Sequence, residues 1–269
     1  MIVCVGLATR DTIYALPRHP DRNDRVVATE RVVSGGGPAA TAAVAIARLG
    51  ADARFVGVID GDLDGVEVVR VAGRMVESTI LVTPDARAIV TEEGTPFEAP
   101  PDALDDAEWV HVDHVGYSAV RDLVPAVRDL VPAVRDLVPT GDQVPLSVDG
   151  GNPIEQLDLD GVDLYAPTEA MDDGRRAKLT VVTRGAGGCT AYRGDDQIDV
   201  PGFRVEPVVS TLGAGDVFHG ALLACLVRGL ELRDALTHAN ACAALSCRAL
   251  DGRSAIPTWD ELTQAVASA

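Results

Sequence analysis

Short β-branched runs alternate with helical stretches along most of this chain, and that alternation constrains the fold more than any other feature. Strands read over Met1 to Leu7, Phe55 to Ile59, Trp109 to Val112, Pro145 to Val148, Leu164 to Ala166 and Leu179 to Thr183. An alanine-rich helix over Ala39 to Leu49 follows Gly35-Gly36-Gly37-Pro38 and ends at Gly50. The C-terminal third reads as helices over Gly213 to Gly229, Leu232 to Leu250 and Thr258 to Ala267. The pattern predicts an α/β fold with a mainly parallel sheet covered by helices. Ligands of such sheets lie beyond the carboxyl ends of the strands, where Asp11, Asp149 and Thr183 are expected to gather. Arg22 to Val33, Val66 to Val71, Ser78 to Thr83 and Arg87 to Thr91 read as more exposed β segments.

The strongest chemical signal is Ser210-Thr211-Leu212-Gly213-Ala214-Gly215-Asp216. Two glycines and an alanine open an apolar helix, and one carboxylate stands in its first turn. The N–H groups of a helix start lack internal partners and favour an anion. Asp216 adds a proton acceptor beside them, a combination suited to moving a phosphoryl group onto a hydroxyl. No Gly-Lys-Ser/Thr follows, so this is not a P-loop, and no glycine-rich turn follows the first strand, which argues against a hydride-transfer enzyme. Small residues at Gly220, Ala221 and Ala224 predict close packing of the helix that follows. His219, three residues after Asp216, shares its helix face and reads as a packing or supporting residue.

The net charge of −18, with 41 acidic against 23 basic residues, disfavours nucleic acid and anionic membranes as partners. It also disfavours nucleotides, so any anion site needs local positive potential. Five scattered cysteines (Cys4, Cys189, Cys225, Cys242 and Cys247) read as reduced core thiols of a cytoplasmic protein, with no spacing that suggests a metal site. No stretch is long and apolar enough to span a membrane, and Met1 runs directly into a strand. A chain of 269 residues fits one large domain. Ala119 to Pro139 holds three copies of Ala-Val-Arg-Asp-Leu-Val-Pro; the proline in each copy prevents a continuous helix.

Thr211 to Asp216, continued by Val217-Phe218-His219-Gly220-Ala221, resembles the large motif of the PfkB/ribokinase family of carbohydrate kinases. Gly35-Gly36-Gly37 with Pro38 to Ala45 and Arg48-Leu49-Gly50, and Val181 to Gly188, are similar to two further elements of that family. The motif style is similar to sulfofructose kinase-like members. The resemblance implies a ribokinase-like three-layer core over 1–269 with a small β lid contributed by about 12–34 and 66–91. It implies ATP and Mg2+ as cofactors, a small-molecule sugar substrate and a possible homodimer through the lid. Asp216 would be the base, with Gly213, Ala214 and Gly215 donating to the transferred group. Asp11, Gly35, Gly36 and Gly37 would hold the sugar. Thr183, Arg184, Gly185, Asn240 and Ser246 would border the nucleotide.

Departures from the family pattern bear on activity. Ser210 stands where Asp or Asn is usual. The Asn-x-x-Glu element falls at Thr168-Glu169-Ala170-Met171, so both of its polar ends are altered. Helical material is missing after Gly65 and after Gly174. A nucleoside kinase of the same fold and a catalytically silent sugar- or nucleotide-binding protein are the competing readings. Tyr14, Phe55 and Phe97 are the candidates to stack on a base.

Overall fold

The computed structural model describes residues 1–120, 123 and 144–269. The heptapeptide repeat lies almost wholly outside the described residues. Two sheets organise the chain. The larger is built from β1 (Ile2–Val5), β4 (Ala53–Gly57), β5 (Glu67–Arg70), β8 (Trp109–Val112), β9 (Leu146–Gly150), β10 (Leu164–Pro167), β11 (Leu179–Thr183), β12 (Cys189–Arg193) and β13 (Asp196–Val200). Its order is β13-β12-β11-β10-β9-β8-β1-β4-β5. All pairs are parallel except β11–β12 and β12–β13, an antiparallel hairpin at one edge.

Period-two alternation sends the side chains of this sheet to two cores. Ile2 and Cys4 of β1 pack into one core and Val3 and Val5 into the other. The first core is covered by α1 (Pro38–Arg48), α3 (Ala214–Val227), α4 (Leu232–Ser246) and α5 (Trp259–Ala267). With aromatics at 4%, close approach replaces bulk: Gly220 of α3 lies against Ala42 and Ala45 of α1. The second core includes α2 (Gly116–Val120) and a short 3-10 turn at Pro101–Leu104.

The smaller sheet has the order β3-β2-β6-β7, from β2 (Thr9–Ala15), β3 (Glu30–Gly36), β6 (Val76–Val82) and β7 (Arg87–Thr91). Ile13, Ile80 and Val82 of its inner face pack on Leu250 and Leu212, which seats it over the start of α3. It has the place and size expected of a lid, with altered boundaries. Residues 22–29 form no strand, and the strand carrying Asp11 begins at Thr9. Glu67–Arg70, expected in the lid, instead pairs in parallel with β4 as an edge of the large sheet. That pair is joined by 58–66 without a helix, where a helical crossover is usual, in keeping with the missing helical material.

The strand order reverses between β1 and β8, which opens a crevice at their carboxyl ends. Asp113, just after β8, is buried there. Its Oδ2 accepts the N–H groups of Leu7 (2.8 Å) and Ala39 (3.1 Å), and its Oδ1 those of Val115 and Gly116 (both 2.9 Å). One carboxylate therefore ties the end of β1 to the starts of α1 and α2, and sequence reasoning had not singled it out.

Candidate active site

The site is built where the start of α3 meets the lid and the strand ends. Gly213 caps α3 in the left-handed region at φ 71°, and among the described residues no side chain makes a capping hydrogen bond at this helix end. The Ala214 N–H reaches Thr211 O at 3.4 Å, and no side chain competes with an anion for the N–H groups that follow it in the first turn. No heavy atom lies within 4 Å of the space above Gly215, so a ligand can approach its backbone. Ser210 is buried, and its Oγ accepts the Leu212 N–H at 3.2 Å, so the hydroxyl holds the turn that leads into the helix.

Asp216 is half-buried at the mouth of this helix. Burial, reinforced by the charge of Asp149, pushes its carboxyl up to about 7, against the pull of His219 and Arg253. A base poised near neutrality is the form proton transfer requires. Asp149 behaves oppositely. Burial alone would raise it, but His219, His111 and the Gly151 N–H together hold it at about 2. Two neighbouring carboxylates are thus driven apart, one permanently charged and one able to take a proton.

Asp11 enters from the lid, buried on the inner face of β2, where Thr9 Oγ donates to it at 2.7 Å. Burial raises its carboxyl, opposed by Thr9 and Arg253. Gly36 lies directly against it: a Cβ there would collide with Asp11 Oδ2 and approach Thr9 Oγ to 2.6 Å. The glycine run is thus a close-approach surface beside the Asp11 carboxylate.

Arg253 completes the cluster and was not recognised from the sequence. Its Nη2 donates to Gly36 O at 2.6 Å and its Nε to Thr41 Oγ at 3.1 Å, while Nη1 occupies the space a Gly35 side chain would need. Burial lowers its guanidinium to about 10, countered by Asp11, Asp216 and Asp251. It is the local positive charge that the acidic surface required. Its only sequence signal was its place in the turn Asp251-Gly252-Arg253, which reads as solvated.

The expected nucleotide-side residues are less uniformly gathered. Thr183 ends β11 beside Thr168, its hydroxyl 3.4 Å from Pro167 O. Gly185 is open and left-handed. Arg184 is turned into the β12–β13 hairpin, bonded to Thr190 and 3.7 Å from Asp199. Asn240 donates to Pro201 O at 3.2 Å, linking α4 to the end of that hairpin. Ser246 is enclosed, with its hydroxyl on Ala243 O of its own helix.

Two of the three aromatics, Tyr14 and Phe55, are turned away from Asp11, while half-buried Phe97 lines a cavity with Gly6, Leu7 and Ala8. Tyr14 points from the opposite face of β2, where Arg31 lies over its ring. Phe55 is fully buried and Phe97 packs into the second core.

The model of the pfkB family carbohydrate kinases matches residues 1–72 and 166–259, which include both glycine stretches, Asp11 and Asp216. The chain belongs to this family. It is 24% identical to the ribokinase of Bacillus subtilis, over 98% of each chain. It is 26% identical to the ATP-dependent ribose-1-phosphate kinase of Halopiger xanaduensis, over 96% of this chain and 95% of that one. The fold superposes on the Arabidopsis thaliana ribokinase solved with ribose and ATP, with a TM-score of 0.77, 20% identity and 98% of both chains covered. The architecture is ribokinase-like, with a mixed, mostly parallel sheet and accessory strands matching a lid, and family membership supports ATP-dependent kinase activity. Among the described residues no helix is long and apolar enough to cross a membrane.

Proposed function

We propose that this pfkB-family protein transfers the terminal phosphoryl group of ATP to a hydroxyl of a sugar or sugar derivative. The observation that carries the proposal is Asp216, with its carboxyl near 7, in the first turn of the open, uncapped start of α3. Asp11 and the Gly35–Gly37 backbone orient the acceptor. Asp216 takes the proton as the hydroxyl oxygen bonds to phosphorus and the bond to the ADP oxygen breaks. The N–H groups of Gly213, Ala214 and Gly215 stabilise charge on the moving group. Thr183 and Gly185 border the polyphosphate, and Asn240 holds the wall of the adenine side. Seating of the lid over this site excludes water.

Among the described residues no group of three or more His, Cys, Asp or Glu side chains is arranged to hold a metal ion. This donor set fits Mg2+ carried on the nucleotide phosphates and water, the usual state of that ion, with Glu169 as the exposed carboxylate beside Thr168. When bound, the ion would neutralise phosphate charge.

A sugar acceptor is favoured over a nucleoside by the placement of Tyr14 and Phe55. A sulfonated acceptor, suggested by motif style, draws no support from two arginines near Asp11 in sequence, since Arg10 pairs with Glu77 and Arg18 with Asp24. Exposed Val33, Ile89 and Val90 on lid strands support pairing of two chains there. All five cysteines are free and buried, which supports a reducing, cytoplasmic setting.

The test is ADP release with Mg-ATP and a panel of sugars, sulfosugars, sugar acids and nucleosides, beside Asp216→Asn. Acceptor-dependent turnover lost in the variant supports the proposal. A folded protein that binds ligands without turnover overturns it in favour of the silent reading motivated by Thr168 and Met171.

A further inference from the structure

Behind Asp216 lies a group of buried polar residues that the transfer reaction does not use directly. His219 follows Asp216 by three residues on α3, so both project from one side of the helix. The imidazole is 5% exposed, and its Nδ1 lies 3.1 Å from Oδ2 of Asp149, which is 3% exposed. The other Asp149 oxygen accepts the Gly151 N–H at 2.7 Å. A second imidazole, His111 of β8, packs with its ring centroid 5.8 Å from that of His219. Its Nδ1 is 2.8 Å from Ser147 Oγ, and its buried Nε2 has no hydrogen-bond partner among the described residues.

The charges facing Asp216 come from four directions: Asp149 at the end of β9, Asp113 after β8, His219 on its own helix and Arg253 from the C-terminal loop. Those facing His219 are Asp149, Asp216 and the second imidazole, with a backbone group of Ala166 in β10. Burial would strip the proton from His219, but Asp149 and then Asp216 more than offset it, and the imidazole titrates above its ordinary value. His111 also faces Asp149, but burial and the neighbouring imidazole outweigh that pull and hold it down to about 3. Of the two imidazoles, His219 is therefore the one whose charged form the neighbouring carboxylates favour.

Given the kinase reading, we propose that His219, set beside the Asp149 carboxylate, is a positioning residue whose buried positive charge keeps Asp216 ionised and ready to accept the substrate proton. Without that cation, Asp149 and Asp216 face each other as like charges in a water-poor site, and the more exposed Asp216 takes up a proton. His219 touches neither the acceptor nor the phosphate in this scheme. It acts through the charge of the base alone.

The test uses the full chain and two readouts. In kcat/KM against pH, His219→Asn moves the acid limb up by about one unit, so that the rate at pH 6 falls about tenfold while the plateau at high pH is largely kept. In an Asp149→Asn background the imidazole is already neutral, and adding His219→Asn leaves the limb where it stands. The double variant also guards against misfolding, because removing both charges of a buried pair is tolerated better than removing one. The second readout is the NMR ring titration of the five histidines. His219 remains charged at pH 7 in the native chain and becomes neutral in Asp149→Asn. An unmoved acid limb in His219→Asn, a uniform loss of rate at every pH, or a neutral His219 at pH 7 overturns the proposal. Absence of turnover in the native chain overturns the kinase reading itself, and the ring titration, which needs no substrate, still judges the charge pair.

Discussion

Arg253 Nη2 donates to the carbonyl oxygen of Gly36 at 2.6 Å, across 217 positions of sequence, and so joins the loop between the last two helices to the Gly35–Gly37 run. The same guanidinium offsets Asp11 and Asp216. Arg253→Ala should therefore do two things. Acceptor KM should rise and kcat/KM fall about ten- to a hundredfold, the usual cost of lost charged hydrogen bonds. Asp216, near 7 in the native site, should also titrate higher, so the acid limb moves up. Arg253→Lys keeps the charge but not the fork. It should restore the limb without restoring KM. Steady-state kinetics on both variants across pH separates the two effects, and a restored KM in the lysine variant would refute the fork's role.

Asp11 and Gly36 should fail in the same way for different reasons. Asp11→Asn removes a charged acceptor for sugar hydroxyls. Gly36→Ala leaves the carboxylate in the chain but places a methyl group where Asp11 Oδ2 sits. Both should raise acceptor KM by roughly ten- to a hundredfold with the KM for ATP changed less than about twofold. Equal losses toward both substrates would place Asp11 elsewhere in the cycle.

Much of this site was legible in the sequence because its signals are local. The glycine-opened helix, its first-turn Asp216 and the alanine-rich α1 follow from caps, propensity and periodicity within a dozen residues. Strand–helix alternation was enough to predict a parallel sheet. The lid boundaries were not legible, because β2 pairs in parallel with β6 over a separation of 67 positions from Thr9 to Val76. Nothing in Thr9–Ala15 itself announces that partner. The β12–β13 hairpin was missed because Asp196–Val200 is polar and exposed for most of its length. Asp113 and Arg253 were missed for a common reason. Each acts by gathering backbone groups from remote segments, and a lone charged residue in a turn carries no mark of such partners.

Asp113 should behave as a structural keystone rather than a reacting group. Its carboxylate accepts four backbone N–H groups from three segments. Asp113→Asn turns one acceptor oxygen into an NH2 that faces donors, leaving buried N–H groups unmatched. Destabilisation of about 2–4 kcal/mol is expected, measurable by urea unfolding. Where the variant still folds, the acid limb should shift slightly down, since Asp113 is one of the like charges raising Asp216. A loss of rate with unchanged stability would contradict this role.

Asp216 should be a place where the protein gives up stability for activity. Its carboxyl lies near 3.8 in the unfolded chain and is raised to about 7 in the folded one, chiefly by burial. Between those values the folded state binds more protons than the unfolded state, so unfolding free energy falls as pH rises through this window. Well below the unfolded value of 3.8 the carboxyl is protonated in both states and costs nothing. Above about pH 7 the full cost of a buried charge is present. Asp216→Asn removes that cost while nearly preserving shape. It should abolish turnover and, at pH 8, stabilise the fold by on the order of 1–3 kcal/mol, the lower end reflecting partial exposure to solvent. At pH 4 the gain should shrink to about 0.5 kcal/mol or less. Thermal unfolding of both proteins at the two pH values checks the sign. A variant equally or less stable than the native chain at pH 8 would show that Asp216 is not held against its charge, and its suitability as the base would fall with that result.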